Sequence, residues 1–121
     1  DVCVPRGAIV EMLARVDRVS QETGIKTCVF GHAGDGNLHV NLLSNDDPAD
    51  PAVRKRMWAA AKQIFAHTID LKGTLSGEHG IGLAKREFMP LAVPATTLEL
   101  MRNVKAAFDP DGILNPGKLL P

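Results

Sequence analysis

The segment CVFGHAGDGNLHVNL, residues 28–42, holds two short apolar runs on either side of a glycine-rich centre. The Asp35-Gly36 dipeptide is a strong signal for a two-residue β-hairpin turn. Such a turn would pair His32 with His39, with their Cβ atoms about 4.5–5.5 Å apart on one face of the sheet. We therefore predict a hairpin in which these two imidazoles are close enough to share one metal ion.

Polar and apolar residues alternate along the second strand of this hairpin. The apolar set, which should face a helix-covered core, is Leu38, Val40 and Leu42. The polar set on the opposite face is Asn37, His39 and Asn41. A face that only meets solvent would more often carry Lys, Glu and Thr, so the pattern favours a functional site on this face.

The rest of the chain predicts a ferredoxin-like order of elements. Helical periodicity at residues 6–23 ends at Gly24, and a second helix begins at an Asp50 cap with Pro51 and ends before Gly73. With a strand at 2–4, two strands within 25–43 and a strand at 74–76, the order is β-α-β-β-α-β. We predict an α+β fold whose antiparallel sheet is covered by helices on one face.

A third helix at residues 94–108 and a turn-rich, extended tail at 109–121 follow this unit. Residues 1–121 are therefore expected to form a single domain, with a ferredoxin-like unit at 1–93 and a trailing helix and tail at 94–121. The chain begins with Asp1 rather than Met, so we expect a fragment of a longer protein.

Composition excludes several functional classes. The chain has 14 basic and 14 acidic residues, so it lacks the positive charge expected of a nucleic-acid-binding protein. No apolar run approaches the roughly 20 residues needed to span a bilayer. Cys3 and Cys28 are too few for a disulfide framework, and we expect two buried or half-buried thiols in a reducing cytoplasm.

A second glycine-rich segment, GEHGIGLAKR at residues 77–86, places Glu78 beside His79. A carboxylate with two histidines is a common ligand set for Zn²⁺, Fe²⁺ or Mn²⁺, and a further histidine can serve as a general base near neutral pH. Residue types alone do not decide which of Glu78 and His79 is the ligand. His67, within the second predicted helix, is interpreted as a structural or surface residue.

Three motifs together resemble the signatures of one family. They are GHAGDGNLHVN at residues 31–41, SGEHGIG at 76–82 and FDPDGILNPGK at 108–118. In this order and spacing they resemble the C-terminal domain of FAD-linked oxidases, a family that includes the glycolate oxidase flavoprotein subunit, D-lactate dehydrogenases and D-2-hydroxyglutarate dehydrogenase. The resemblance covers essentially the whole chain.

The resemblance implies an FAD-dependent oxidation of a D-2-hydroxy acid to the 2-oxo acid, with FAD bound mainly by an N-terminal domain outside this chain. The chain itself would be the latter half of a cap domain, inactive alone. The implied divalent metal, Zn, Mn or Fe, would be bound by His32, His39 and Glu78. The implied catalytic base is His79, Asn41 would bind substrate, and Asn115 would contact the flavin.

Further expectations concern partners and location. We expect contact with the N-terminal FAD domain. Roughly three quarters of the full enzyme, including this domain, would lie upstream of Asp1. Self-association of the chain is expected where that domain is missing, and the location would be cytoplasmic or peripheral to a membrane. The alternatives are a stand-alone metal- or ligand-binding ferredoxin-like module and a family member that holds no metal.

Overall fold

A three-stranded antiparallel sheet organises the first part of the chain in the computed structural model, which describes residues 1–121. The strands are β1 (Val2–Cys3), β2 (Lys26–His32) and β3 (Asn37–Leu43), in the spatial order β1-β3-β2. An antiparallel bridge between Cys3 and Thr74 lies on the other side of β1. The α+β class and the ferredoxin-like arrangement are confirmed.

The predicted strand at residues 74–76 is wrong in extent, because only Thr74 pairs with β1. Its backbone exchanges two hydrogen bonds with Cys3, of 2.8 and 3.1 Å. Beyond that point Ser76 Oγ and the Gly77 amide donate to the side chain of Asp1 instead of continuing the backbone ladder. The fourth strand is therefore a single bridge followed by a loop.

Two helices accompany this sheet, as predicted. Helix α1 (Ile9–Thr23) follows a 3₁₀ turn and ends at Gly24, whose φ of 68° is the left-handed conformation that glycine adopts easily. Helix α2 (Pro51–Asp70) begins at Asp50, whose carboxylate accepts a hydrogen bond of 2.7 Å from the Ala52 amide. No helix of the chain qualifies as a membrane span.

The core of this part lies between the sheet and the two helices. Leu38 of β3 is buried there, and Val40 and Leu42 pack against it, as the alternation predicts. The buried apolar members are Val2, Val4, Met12, Val16, Val19, Ile25, Leu38, Ala60 and Ile64. Because side chains alternate along a strand, the polar residues of β3 lie on the opposite face of the sheet.

The register of the hairpin differs from the prediction. His32 pairs with Asn37, and the residue opposite His39 is Phe30. His32 and His39 nevertheless lie on the same face, as diagonal neighbours displaced by two residues along the strand. The predicted face is confirmed, whereas the predicted direct pairing of the two histidines is wrong.

A wider turn accounts for the altered register. The loop contains four residues, 33–36, and the His32 carbonyl accepts hydrogen bonds of 3.0 Å from the amides of both Asp35 and Gly36. Gly36 has a φ of 78°, and its carbonyl accepts a hydrogen bond of 2.9 Å from the Val4 amide. The turn thus also connects to the chain that follows β1, a contact that local turn preferences do not include.

Residues Gly80–Pro121 form a second unit, separate from Asp1–His79. It contains a 3₁₀ turn at Arg86–Phe88, helix α3 (Met89–Ala92) and helix α4 (Ala95–Phe108). The tail returns to the start of this unit. The Leu119 amide donates to the Gly82 carbonyl at 2.9 Å.

Helix α4 confirms the helix predicted at 94–108, and a buried carboxylate organises the turn after it. Asp109 accepts hydrogen bonds from the Lys105 ammonium and from the amides of Ile113 and Leu114. The Lys105 ammonium, with these amides, holds the pKa of the Asp109 carboxyl below its usual value. The segment after the helix is therefore turned rather than extended.

Lys85 is buried rather than a surface charge, and its burial lowers the pKa of its ammonium from 10.5 to about 8. Between these pH values the unfolded chain binds the proton and the folded chain does not. Lys85 should therefore contribute a rise in the free energy of unfolding with pH from about 8 to 10.5, by at most about 1.4 kcal/mol per pH unit. Urea unfolding across this range should give a more positive slope of this free energy against pH in wild type than in Lys85→Met; equal slopes would contradict it.

The two cysteines are free thiols. Cys3 is half-buried and its Sγ donates to the Asp35 carbonyl at 3.3 Å. Cys28 is exposed, which corrects the expectation of a half-buried thiol, because it lies on the sheet face that the helices leave uncovered.

Candidate metal centre

Three histidines and one glutamate converge on the uncovered face of the sheet. His32 is the last residue of β2, and His39 lies within β3. Glu78 and His79 lie in the loop at residues 76–79 that follows the Cys3–Thr74 bridge. The two glycine-rich segments singled out in the sequence are thus brought together, although nearly 40 residues separate His39 from Glu78.

One carboxylate oxygen, Oε1 of Glu78, faces an imidazole nitrogen from each histidine. Its distances to the Nε2 atoms of His39, His32 and His79 are 3.1, 3.7 and 3.8 Å. The rings of His39 and His79 stack with centroids 4.9 Å apart, and His32 meets His39 edge-on at 5.6 Å. Three nitrogen donors and one anionic oxygen therefore surround a single small region.

His39 is the buried member of this cluster. His39 as a whole is 9% exposed, whereas the side chains of His32 and His79 are more than half exposed. The Nδ1 atom of His39 and the Oδ1 atom of the neighbouring Asn37 are buried and make no hydrogen bond within the chain. Buried polar atoms of native proteins are nearly always paired, so these two atoms indicate a site that receives a further group.

The donor set fits a divalent metal ion. Ligand atoms of His32, His39 and Glu78 all lie within 4.8 Å of one another. Two imidazole nitrogens and one carboxylate oxygen suit Zn²⁺, Mn²⁺ or Fe²⁺, and three protein ligands leave coordination positions open. A second set with the same spacing consists of Asp1, His39 and His79.

Asp1 belongs to the site although no sequence feature singled it out. Its side chain is 1% exposed, and Oδ1 lies 4.0 Å from Nδ1 of His39. Strand register explains the position, because Val2 pairs with Leu38 and this pairing brings Asp1 beside His39. Alternation of side chains along β1 could have pointed to Asp1, but this strand has only two residues and shows no pattern.

The remaining candidate residues lie in different places. Asn41 is exposed on β3, opposite Cys28 and on the same face as His39. His67 lies near the end of α2, so it is no part of the cluster. Asn115 belongs to the second unit, where it has a φ of 51° and lines a cleft together with Lys118.

Comparisons with known proteins place this geometry in context. A family profile described as "FAD linked oxidases, C-terminal domain" matches residues 1–119. The glycolate oxidase subunit GlcD of Bacillus subtilis is 39% identical over 119 residues, or 98% of this chain. A D-lactate dehydrogenase of Anaerostipes hadrus is 37% identical over 119 residues, and a D-2-hydroxyglutarate dehydrogenase of Stutzerimonas stutzeri is 35% identical over 121 residues.

The chain spans only about a quarter of the length of these relatives. It covers 25% of the first two proteins and 26% of the third. In each case it covers 98% of its own length, so the similarity runs through every element described above.

Proposed function

Since this chain belongs to the family of C-terminal domains of FAD-linked oxidases, we propose that it provides the metal- and substrate-binding part of an FAD-dependent oxidoreductase. The proposed reaction oxidises a D-2-hydroxy acid of the glycolate, D-lactate or D-2-hydroxyglutarate type to the 2-oxo acid. The observation that carries the proposal is the convergence of three imidazoles on Glu78 Oε1.

His32, His39 and Glu78 are the proposed ligands of a divalent metal ion. Glu78 supplies the negative charge, and its half-exposed carboxylate is free to turn toward an ion. His39 is held in place by burial, so its Nε2 is a fixed donor, whereas His32 reaches the site from the end of its strand. Fixed and adjustable donors together allow an ion to enter and then be enclosed.

His79 is the proposed general base. Its ring stacks on His39 and leaves most of its side chain open to solvent, which is where a substrate would arrive. A neutral imidazole nitrogen at this position can accept the proton of a substrate hydroxyl near neutral pH. The cofactors would supply the remaining chemistry: a divalent ion acts as a Lewis acid toward the hydroxyl, and FAD accepts the hydride from the α-carbon.

Asn41 and Asn115 are proposed to complete binding. The Asn41 carboxamide projects from the same strand face as His39, two residues further along, so it suits contact with the polar end of a hydroxy acid. Asn115 is proposed to meet the flavin, with an FAD-binding domain as the partner of this chain.

The proposal is tested with the protein as its gene encodes it, keeping any sequence that surrounds these 121 residues. We expect anaerobic addition of one of glycolate, D-lactate or D-2-hydroxyglutarate to bleach the visible absorbance of bound flavin. Removal of metal with a chelator should lower kcat/KM by about 100-fold or more, since Lewis-acid stabilisation is worth several kcal/mol. Adding back Zn²⁺ or Mn²⁺ should restore it.

The L-enantiomers of lactate and 2-hydroxyglutarate are the matched controls and should leave the flavin oxidised. Unchanged turnover after complete removal of the metal would contradict the metal assignment. Metal binding without flavin reduction by any D-2-hydroxy acid would instead favour a binding module.

A further inference from the structure

The Asp1 carboxylate is buried and accepts hydrogen bonds from the loop at residues 76–79. Ser76 Oγ donates at 2.7 Å, and the amides of Gly77, Glu78 and His79 donate at 3.2, 3.3 and 3.1 Å. An ionised carboxylate has about four lone-pair sites, and four donors occupy them here. Burial of such a charge is costly unless it is hydrogen-bonded in this way, so the loop and the carboxylate stabilise each other.

The loop held by Asp1 is the one that carries Glu78 and His79. Successive backbone amides point at one carboxylate, which fixes the peptide planes from residue 76 to residue 79. The directions in which the Glu78 and His79 side chains leave the backbone are thereby fixed as well. Without Asp1 these three amides would have to find solvent or another acceptor.

Asp1 also faces the buried histidine. Its Oδ1 lies 4.0 Å from Nδ1 of His39, the atom that makes no hydrogen bond within the chain. At this separation the two atoms are neighbours but form no hydrogen bond. The Nε2 atom of His39 is the one directed at Glu78.

Asp1 also belongs to the second set of residues spaced to hold a metal, with His39 and His79. Its oxygens are already saturated by four donors, and a metal would have to displace them. The Glu78 carboxylate accepts none of these bonds and is half exposed. The distribution of hydrogen bonds therefore gives the two carboxylates different roles. Asp1 fixes the loop, whereas Glu78 remains available as a metal ligand.

We propose that Asp1 is a positioning residue that aims Glu78 and His79 through their backbone amides. The positioning of the loop stands on the hydrogen bonds alone, whereas its effect on metal affinity rests on the proposed function. Asp1 itself contacts neither metal nor substrate.

The test compares Asp1→Asn with wild type in the protein as its gene encodes it. The asparagine keeps the size of the side chain but replaces one acceptor oxygen by a donor that opposes the loop amides. Hydrogen exchange at the amides of residues 77–79 should accelerate by about 10-fold or more. Zn²⁺ affinity, measured by competition with a chelator, should fall by about 10–100-fold, the usual effect of losing a residue that orients a ligand.

Two further variants keep this test decisive. Asp50→Ala removes the cap of α2, at a typical cost of about 1 kcal/mol, and is the control for general destabilisation. It should leave both the loop exchange and Zn²⁺ affinity unchanged. Ser76→Ala removes one of the four donors and should shift both quantities in the same direction as Asp1→Asn, by less.

Unchanged exchange at residues 77–79 in Asp1→Asn would overturn the proposal. Complete loss of Zn²⁺ binding, equal to that of Glu78→Ala, would also overturn it by making Asp1 a ligand. If wild type bound no metal, the proposed function would fail, while the exchange rates would still decide the role of Asp1.

Discussion

Replacing His39 by alanine is expected to weaken Zn²⁺ binding by more than about 100-fold, which exceeds the loss usual for a residue that only orients a ligand. His39 provides the closest nitrogen to Glu78, at 3.1 Å, and it is the one buried imidazole of the cluster. Its loss leaves Glu78 facing only the two exposed rings of His32 and His79. The measurement is a competition titration against a chromophoric chelator after the protein has been stripped of metal.

His67→Ala is the matched control, because His67 lies in α2 outside the cluster. It should bind Zn²⁺ as wild type does. Truncation of a buried ring also costs folding stability, so His32→Ala provides a second variant whose side chain is mostly exposed. Metal content equal to wild type in both His39→Ala and His32→Ala would refute the assignment of these ligands.

A methyl group added at Gly36 is expected to lower the free energy of unfolding by about 3 kcal/mol. The φ of 78° costs an L-residue roughly 1–2 kcal/mol. The new Cβ would also overlap the carbonyl oxygen of Val4, and relieving such overpacking typically costs about 1–3 kcal/mol more. Urea unfolding followed by far-UV circular dichroism measures the change.

The neighbouring Gly34 offers the control, since a Cβ there meets no atom within 4 Å and the backbone is not left-handed. Gly34→Ala should unfold at nearly the wild-type urea concentration. Equal midpoints for the two variants would contradict the account of the turn. Because β1 is attached to Gly36 through Val4, we also expect Gly36→Ala to weaken metal binding, and Gly34→Ala to leave it intact.

Much of the fold follows from local sequence signals. Capping by Asp50, the stop at Gly24 and the alternation along β3 each depend on residues within a few positions of one another. Such signals identified the helices and the correct face of the hairpin. The turn was predicted wrongly because its conformation depends on a hydrogen bond from Val4, which lies 32 residues before Gly36.

In the candidate site, too, residues with a local sequence signal were predicted and a residue that depends on distant contacts was missed. His32 and His39 were identifiable from the Asp35-Gly36 hairpin signal, and Glu78 and His79 from the glycine-rich segment that carries them. The structure brings all four together. Asp1 escaped notice because its partners lie at the other end of the unit and are mostly backbone amides. Backbone donors have no residue type, so no composition or spacing rule points to the acceptor they require.

The hydrogen bonds from the 76–79 loop to Asp1 join residues 75 to 78 positions apart. Contacts this distant form only after the intervening chain has been closed, and closure of long loops slows folding. A folding chain would therefore complete its hairpin and helices before its binding site. A divalent ion that needs Glu78 together with His32 and His39 would therefore find its complete ligand set only late in folding.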